Sequence, residues 1–171
     1  MVRLSTRTKE QASQQEVETP ADFIEAVVKR FAPIAFDLAA SARNTQASRY
    51  YSVAEDSLEQ NWCELSHTLD ASPGDPKLLW LNPEFNHIEP WAAKCHQSGP
   101  LLAPWTYIAF LTPASVGANW FSEHVWNQSA VKFLNGRLHF VGHNWPFPKD
   151  CQLAIYGDVP AFAEIWKWKA T

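Results

Sequence analysis

The chain has 171 residues, 46% of them hydrophobic and 19% charged, which suits one domain with a sizeable core and excludes a disordered or fibrous protein. Its net charge of −4 excludes a global field that attracts polyanions, so a nucleic-acid partner would need a local basic patch. Three scattered cysteines (Cys63, Cys95, Cys151) without Cys-x-x-Cys spacing fit free thiols in a reducing cytoplasm, and the lack of any apolar run near ~20 residues argues against a membrane span.

Residues 1–18 are rich in Gln, Ser and charge and read as a flexible arm ahead of one domain, 19–171. Arg3, Arg7 and Lys9 could meet phosphate there or simply be solvated, and no apolar stretch follows them as a secretory signal would need. Thr19-Pro20 opens the domain as an N-cap and a first helical residue. Phe23, Ile24, Val27, Val28 and Phe31 then recur at helical spacing until Pro33 ends the run. Residues 34–36 predict a short strand, and Asp37 to Ser41 the turn after it. Small side chains and a carboxylate there could admit a nucleoside cofactor, although an N-capping aspartate in an ordinary turn fits the same residues.

Further on, residues 48–52 suggest a second short strand, 53–62 a helical turn or helix with Asp56 near its start, and 65–77 a loop. Four apolar residues, 78–81, predict a strand buried on both faces. It breaks abruptly into Asn82-Pro83-Glu84-Phe85 at its carboxyl end, where open α/β sheets bind ligands. An amide, a fixed proline carbonyl and an aromatic ring form a small site for a flat polar ring. Residues 87–97 predict a helix, 105–111 a strand, 116–125 a helix and 130–134 a strand. Residues 138–150 read as an ordered functional loop, 151–156 as the last strand and 161–168 as a short closing helix. Alternating strands and helices indicate an α/β sandwich with a mostly parallel sheet.

Arg137, His139, His143 and Lys149, with Trp145 and Phe147 among them, make the 138–150 region a candidate DNA-binding patch. Lys77 and the 65–77 loop are a second one. A solvated face or a packed loop explains each of these residues equally well. No metal site is expected. His87, Cys95 and His96 match no zinc spacing, and His139 and His143 fall in a loop.

Several short motifs in one order carry a resemblance. They are Thr19-Pro20, Phe36-Asp37-Leu38-Ala39-Ala40-Ser41, Asp56-Ser57-Leu58 before Trp62, and Trp80-Leu81-Asn82-Pro83-Glu84-Phe85 with Pro90-Trp91 beyond. They continue through Phe110-Leu111-Thr112-Pro113-Ala114, Trp120-Phe121, Phe133-Leu134-Asn135-Gly136-Arg137-Leu138-His139-Phe140 and Pro146-Phe147-Pro148. In this order the chain resembles the phage-type DNA N-6-adenine methyltransferases (the phage Dam family) over about residues 19–157.

The resemblance implies a Rossmann-like class I methyltransferase sandwich, with a mostly parallel seven-stranded sheet whose last strand is antiparallel. It implies S-adenosylmethionine as methyl donor and a flipped-out adenine of double-stranded DNA as acceptor. It places Thr19 and Pro20 near the methionine part of the cofactor, Asp37 and Ala39 in the cofactor turn, and Asp56 near the cofactor adenine. Asn82, Pro83 and Phe85 become the catalytic target-base site. A phage- or prophage-encoded cytoplasmic enzyme is the implied setting, as a monomer or weak dimer without membrane attachment. Where the family pattern has a second proline this chain has Glu84, which adds a carboxylate and frees one backbone angle. The rival readings are a non-catalytic DNA- or cofactor-binding homologue with an altered base pocket, and a methyltransferase acting on protein glutamine.

Overall fold

The structure, a computed structural model, describes residues 18–170. Arg3, Arg7 and Lys9 therefore lie outside the described residues. One six-stranded mixed sheet forms the centre, with strand order β1-β2-β3-β5-β4-β6. The strands are β1 (Ile34–Asp37), β2 (Lys77–Leu81), β3 (Thr106–Pro113), β4 (Ala130–Leu134), β5 (Cys151–Tyr156) and β6 (Phe162–Trp166). Pairing is parallel for β1–β2, β2–β3 and β4–β6, while β5 runs antiparallel to both β3 and β4.

The apolar run at 78–81 does what its composition requires. Leu78 and Trp80 enter one core with Phe23 and Val27, and Leu79 and Leu81 enter the other with Ile108 and Phe110. Alternate residues of one strand thus face opposite layers, and both layers exclude water. Helix α1 (Ala21–Arg30) covers the first face through Phe23, Ala26 and Val27. Helices α2 (Trp62–Ser66), α3 (Glu89–Ser98) and α4 (Asn119–His124) lie on the second, through residues that include Trp62, Ala92, Cys95 and Phe121. None of the described helices is long and apolar enough to cross a membrane.

The structure corrects several expectations. The described sheet has six strands, not seven, and the antiparallel strand β5 is followed by β6. The expected closing helix at 161–168 is largely that parallel strand. The reason is charge as much as propensity. Lys132 of β4 is 3% exposed and meets Glu164 at 2.7 Å, and this five-residue ladder sets Glu164 directly opposite it. A buried ammonium left unpaired would cost several kcal/mol. The expected strand at 48–52 is reduced to one bridge between Asp37 and Tyr50.

Of the helical turn or helix expected at 53–62, the structure has the turn, a single 3-10 element at Ser57–Glu59, followed by α2. Asp56 has φ of 47°, which a continuing right-handed helix cannot contain. Asn61 caps α2 instead, accepting from the Cys63 and Glu64 amides. Pro20, not Thr19, occupies the N-cap position of α1, and its carbonyl accepts from the Phe23 and Ile24 amides. The Thr19 hydroxyl is engaged elsewhere.

Candidate active site

β1 and β2 are parallel neighbours, so their carboxyl ends emerge side by side, with Asp37 opposite Trp80. The Leu38 amide donates to the Trp80 carbonyl at 2.8 Å and holds the two exits together. After Leu81 the chain leaves the sheet through Asn82 and the buried Pro83. The Asn82 amide nitrogen donates to Thr19 Oγ1 at 2.9 Å. Thr19 is 3% exposed, so this bond is screened from water. With its nitrogen held there, the Asn82 side-chain oxygen has no partner among the described residues. The same is true of the Pro83 carbonyl. Two acceptors are left open in the turn that carries the Phe85 ring.

Phe85 packs against both cores. Its ring meets Phe147 at 5.4 Å and Phe140 at 6.1 Å, and those two meet at 5.6 Å, all edge-to-face. This cluster fixes the base of the long loop after β4. The Phe147 amide closes the loop on the Leu138 carbonyl, and the Val141 amide bonds the Glu18 carbonyl beside Thr19. The loop, the turn after β2 and the segment before α1 are thereby joined into one assembly.

The basic and aromatic residues of the loop separate into distinct positions. Trp145 is 81% exposed, projecting from a segment whose other aromatics point inward. His139 is exposed and donates from Nε2 to the His143 carbonyl, so the two rings do not share a ligand. Arg137 lies 3.7 Å from Asp150 at the surface, a pair of little energetic weight. Lys149 borders a groove beside Phe85. Among the described residues, no group of three or more His, Cys, Asp or Glu could hold a metal.

Asp37 is 2% exposed at the end of β1. Its carboxylate accepts from the Ala39 amide at 3.2 Å and the Gln46 amide at 2.9 Å. It therefore builds the turn from inside. Ala39 and Ala40 are half-buried and keep that turn free of bulk. Tyr51 pins it from the other side, through the Tyr51 amide to the Asp37 carbonyl and the Ala40 amide to the Tyr51 carbonyl. Asp56 is exposed on its own left-handed turn and makes no bond to the other predicted residues. The structure bonds Thr19 to Asn82 directly, ties Phe85 to them through its own turn and the long loop, joins Asp37 to them through β2, and gives Asp56 no bond to any of them. Sequence reasoning missed the site roles of Phe140, Val141, Gln46 and Tyr51. Alternation of Leu138 and Phe140 in a polar segment was the available signal for one of them.

Burial pushes the Asp37 carboxyl up to about 6 from 3.8, against the lowering effect of the Gln46 and Ala39 amides. The folded value is raised, so the protonated form is the one that folding favours. Its stabilising contribution is complete below about pH 4 and is lost as pH rises through about 6. Above that, ionised Asp37 lowers stability by on the order of 3 kcal/mol. The melting temperature of wild type relative to Asp37→Asn should fall between pH 4 and 7, with a carbon-13 carboxyl midpoint near 6. A midpoint near 4 would remove the buried-carboxyl account.

No curated protein and no solved structure matches the chain. A family model described as DNA N-6-adenine-methyltransferase (Dam) matches residues 5–156, which takes in the Thr19–Asn82 clamp, the Asp37 turn, the Phe85 cluster and the long loop. The chain belongs to the DNA N-6-adenine-methyltransferase (Dam) family.

Proposed function

We propose that this protein transfers the methyl group of S-adenosylmethionine to the exocyclic amine of an adenine flipped out of double-stranded DNA. The observation that carries the reading is Asn82, whose amide nitrogen is held by Thr19 while its oxygen stays open beside Pro83 and Phe85. A hydrogen-bond acceptor at that oxygen is what the chemistry requires. The amine of adenine is a weak nucleophile because its lone pair is delocalised into the ring. Asn82 Oδ1 accepts a hydrogen bond from one amine N–H and the Pro83 carbonyl from the other, and the single proton released on methylation leaves to solvent. The nitrogen then turns tetrahedral and its lone pair becomes available. Phe85 stacks on the base, which has left the duplex because its amine cannot be reached inside one. Positioning and fixed dipoles do most of the work.

The residues fit the cofactor. The turn from Ala39 is low in bulk, and Asp37 and Asp56 complement a positively charged ligand. Thr19 and Pro20 would hold its methionine end, Asp37 and Ala39 the turn beneath it, and Asp56 its nucleoside end. When bound, S-adenosylmethionine supplies an electrophilic sulfonium methyl. Thr19 holds Asn82 in register, and the buried Pro83 fixes the backbone that carries the second acceptor. Glu84 makes no hydrogen bond or ion pair among the described residues, and Asn82 keeps its Thr19 partner. The kept Asn82–Thr19 bond supports the catalytic reading over a homologue with an altered base pocket.

Arg137, His139, His143 and Lys149 would contact the DNA backbone, with exposed Trp145 stacking in or wedging open the duplex. The free thiols of Cys63, Cys95 and Cys151 suit a reducing bacterial cytoplasm, in which a phage or prophage would protect its DNA from restriction. The test is transfer of tritiated methyl from S-adenosylmethionine to unmethylated duplex DNA, with nucleoside analysis of the product. N6-methyladenine is expected. Cofactor binding by calorimetry without transfer would sink the catalytic reading and leave a binding homologue.

A further inference from the structure

Beside the base turn lies a groove of about 270 Å³ that the reaction above does not use. Its walls include Phe85 and His87 after β2, Glu89 at the start of α3, Ser115 after β3, Trp120 of α4 and Lys149 of the long loop. Segments far apart in sequence thus converge on one concavity. The side chains of His87, Glu89, Ser115 and Lys149 make no hydrogen bond or ion pair among the described residues. Trp120 is half-buried and braced edge-on by Phe121 at 6.2 Å, so its indole is a fixed wall. An aromatic face, a free ammonium and small polar groups are the set that holds a nucleotide, through stacking, phosphate contact and base-edge bonds. The volume lies just under the ~300–1,000 Å³ of drug-sized pockets, which suits a single base.

We propose that this groove holds the nucleotide adjacent to the target adenine and makes methylation sensitive to that flanking position. The inference rests on the DNA-methylating reading. Phe85 is the shared wall. The ring that stacks on the flipped base also borders the groove, so a neighbour one phosphodiester away is within reach. Lys149 takes the linking phosphate and Trp120 stacks on the neighbouring base. Ser115 and His87 bond its edge, and Glu89 accepts from an exocyclic amine, as acidic side chains do with cytosine.

The test uses duplexes that are identical except for an abasic site on the 5′ or the 3′ side of the target adenine. Both kcat/KM for methyl transfer and affinity by fluorescence anisotropy are measured. One of the two abasic duplexes should lose about tenfold. That loss should vanish in Trp120→Ala, and in Trp120→Leu, which keeps more of the packing on Phe121. Lys149→Ala should weaken all duplexes alike and lower the slope of log affinity against log salt by about one. Equal abasic penalties in wild type and both Trp120 variants, or no penalty at either position, would overturn the proposal. A protein that binds these duplexes with the abasic penalty yet transfers no methyl would uphold the groove and remove the methyltransferase reading.

Discussion

Asn82→Ala is expected to lower the rate of methyl transfer by about 10³-fold or more, with S-adenosylmethionine affinity changed less than about threefold. Loss of one preorganised polar contact to a reacting group typically costs ~10²–10³ in kcat. Here two effects add. The proposed acceptor for the amine hydrogen disappears, and Thr19 Oγ1 loses the donor that it holds at 2.9 Å. The two parts can be separated. Asn82→Asp keeps an acceptor oxygen and lets the Thr19 hydroxyl donate to it, so it should retain more activity than alanine. Thr19→Val leaves Asn82 in place but unclamped, and should lower kcat through misplacement rather than through a lost acceptor. Single-turnover rates together with calorimetric cofactor binding check all three. An alanine variant that keeps most of its rate would end the assigned mechanism.

What the sequence shows of this site is its local chemistry, and what it hides is long-range pairing. The run 78–81 followed by proline announces a buried strand and an abrupt exit, and β2 ends at Leu81 as that pattern requires. The clamp between Asn82 and Thr19 spans 63 residues and leaves no periodic trace. Thr19 before a helix reads as an N-cap because Thr commonly is one, yet tertiary contact with Asn82 claims its hydroxyl. The 161–168 segment misleads for a similar reason. Phe162, Ile165, Trp166 and Trp168 recur at spacings that a helix also offers, and only the partner strand, with Lys132 facing Glu164, selects a strand. The loop at 138–150 is recognisable as ordered from its aromatics and prolines. Its division into an inward pair, Phe140 and Phe147, and an outward Trp145 depends on Phe85, to which they pack. Asp56 carries a family motif and sits on a left-handed turn that the sequence around it does not announce.

Phe85→Ala should be the second large effect, and it acts in two ways. The ring packs against both cores and closes the cluster with Phe140 and Phe147, so truncation should cost roughly 2 kcal/mol of stability, below the ~3–5 of a fully buried phenylalanine. On the proposed mechanism it also removes the stacking face for the flipped base, worth ~1–3 kcal/mol, or about ten- to a hundredfold in capture. Loosening of the loop adds to the second effect, because Phe147 and Phe140 are what hold its base. Phe85→Leu separates the two, since it fills much of the volume without offering an aromatic face. Its melting temperature should stay near that of wild type while KM for DNA rises by about tenfold or more. Trp145→Ala gives the opposite contrast. That side chain is 81% exposed, so its loss should leave stability unchanged and weaken only DNA binding. If Phe85→Leu binds and methylates DNA as wild type does, the ring is a packing element alone, and the base must be held by Asn82 and Pro83 without it.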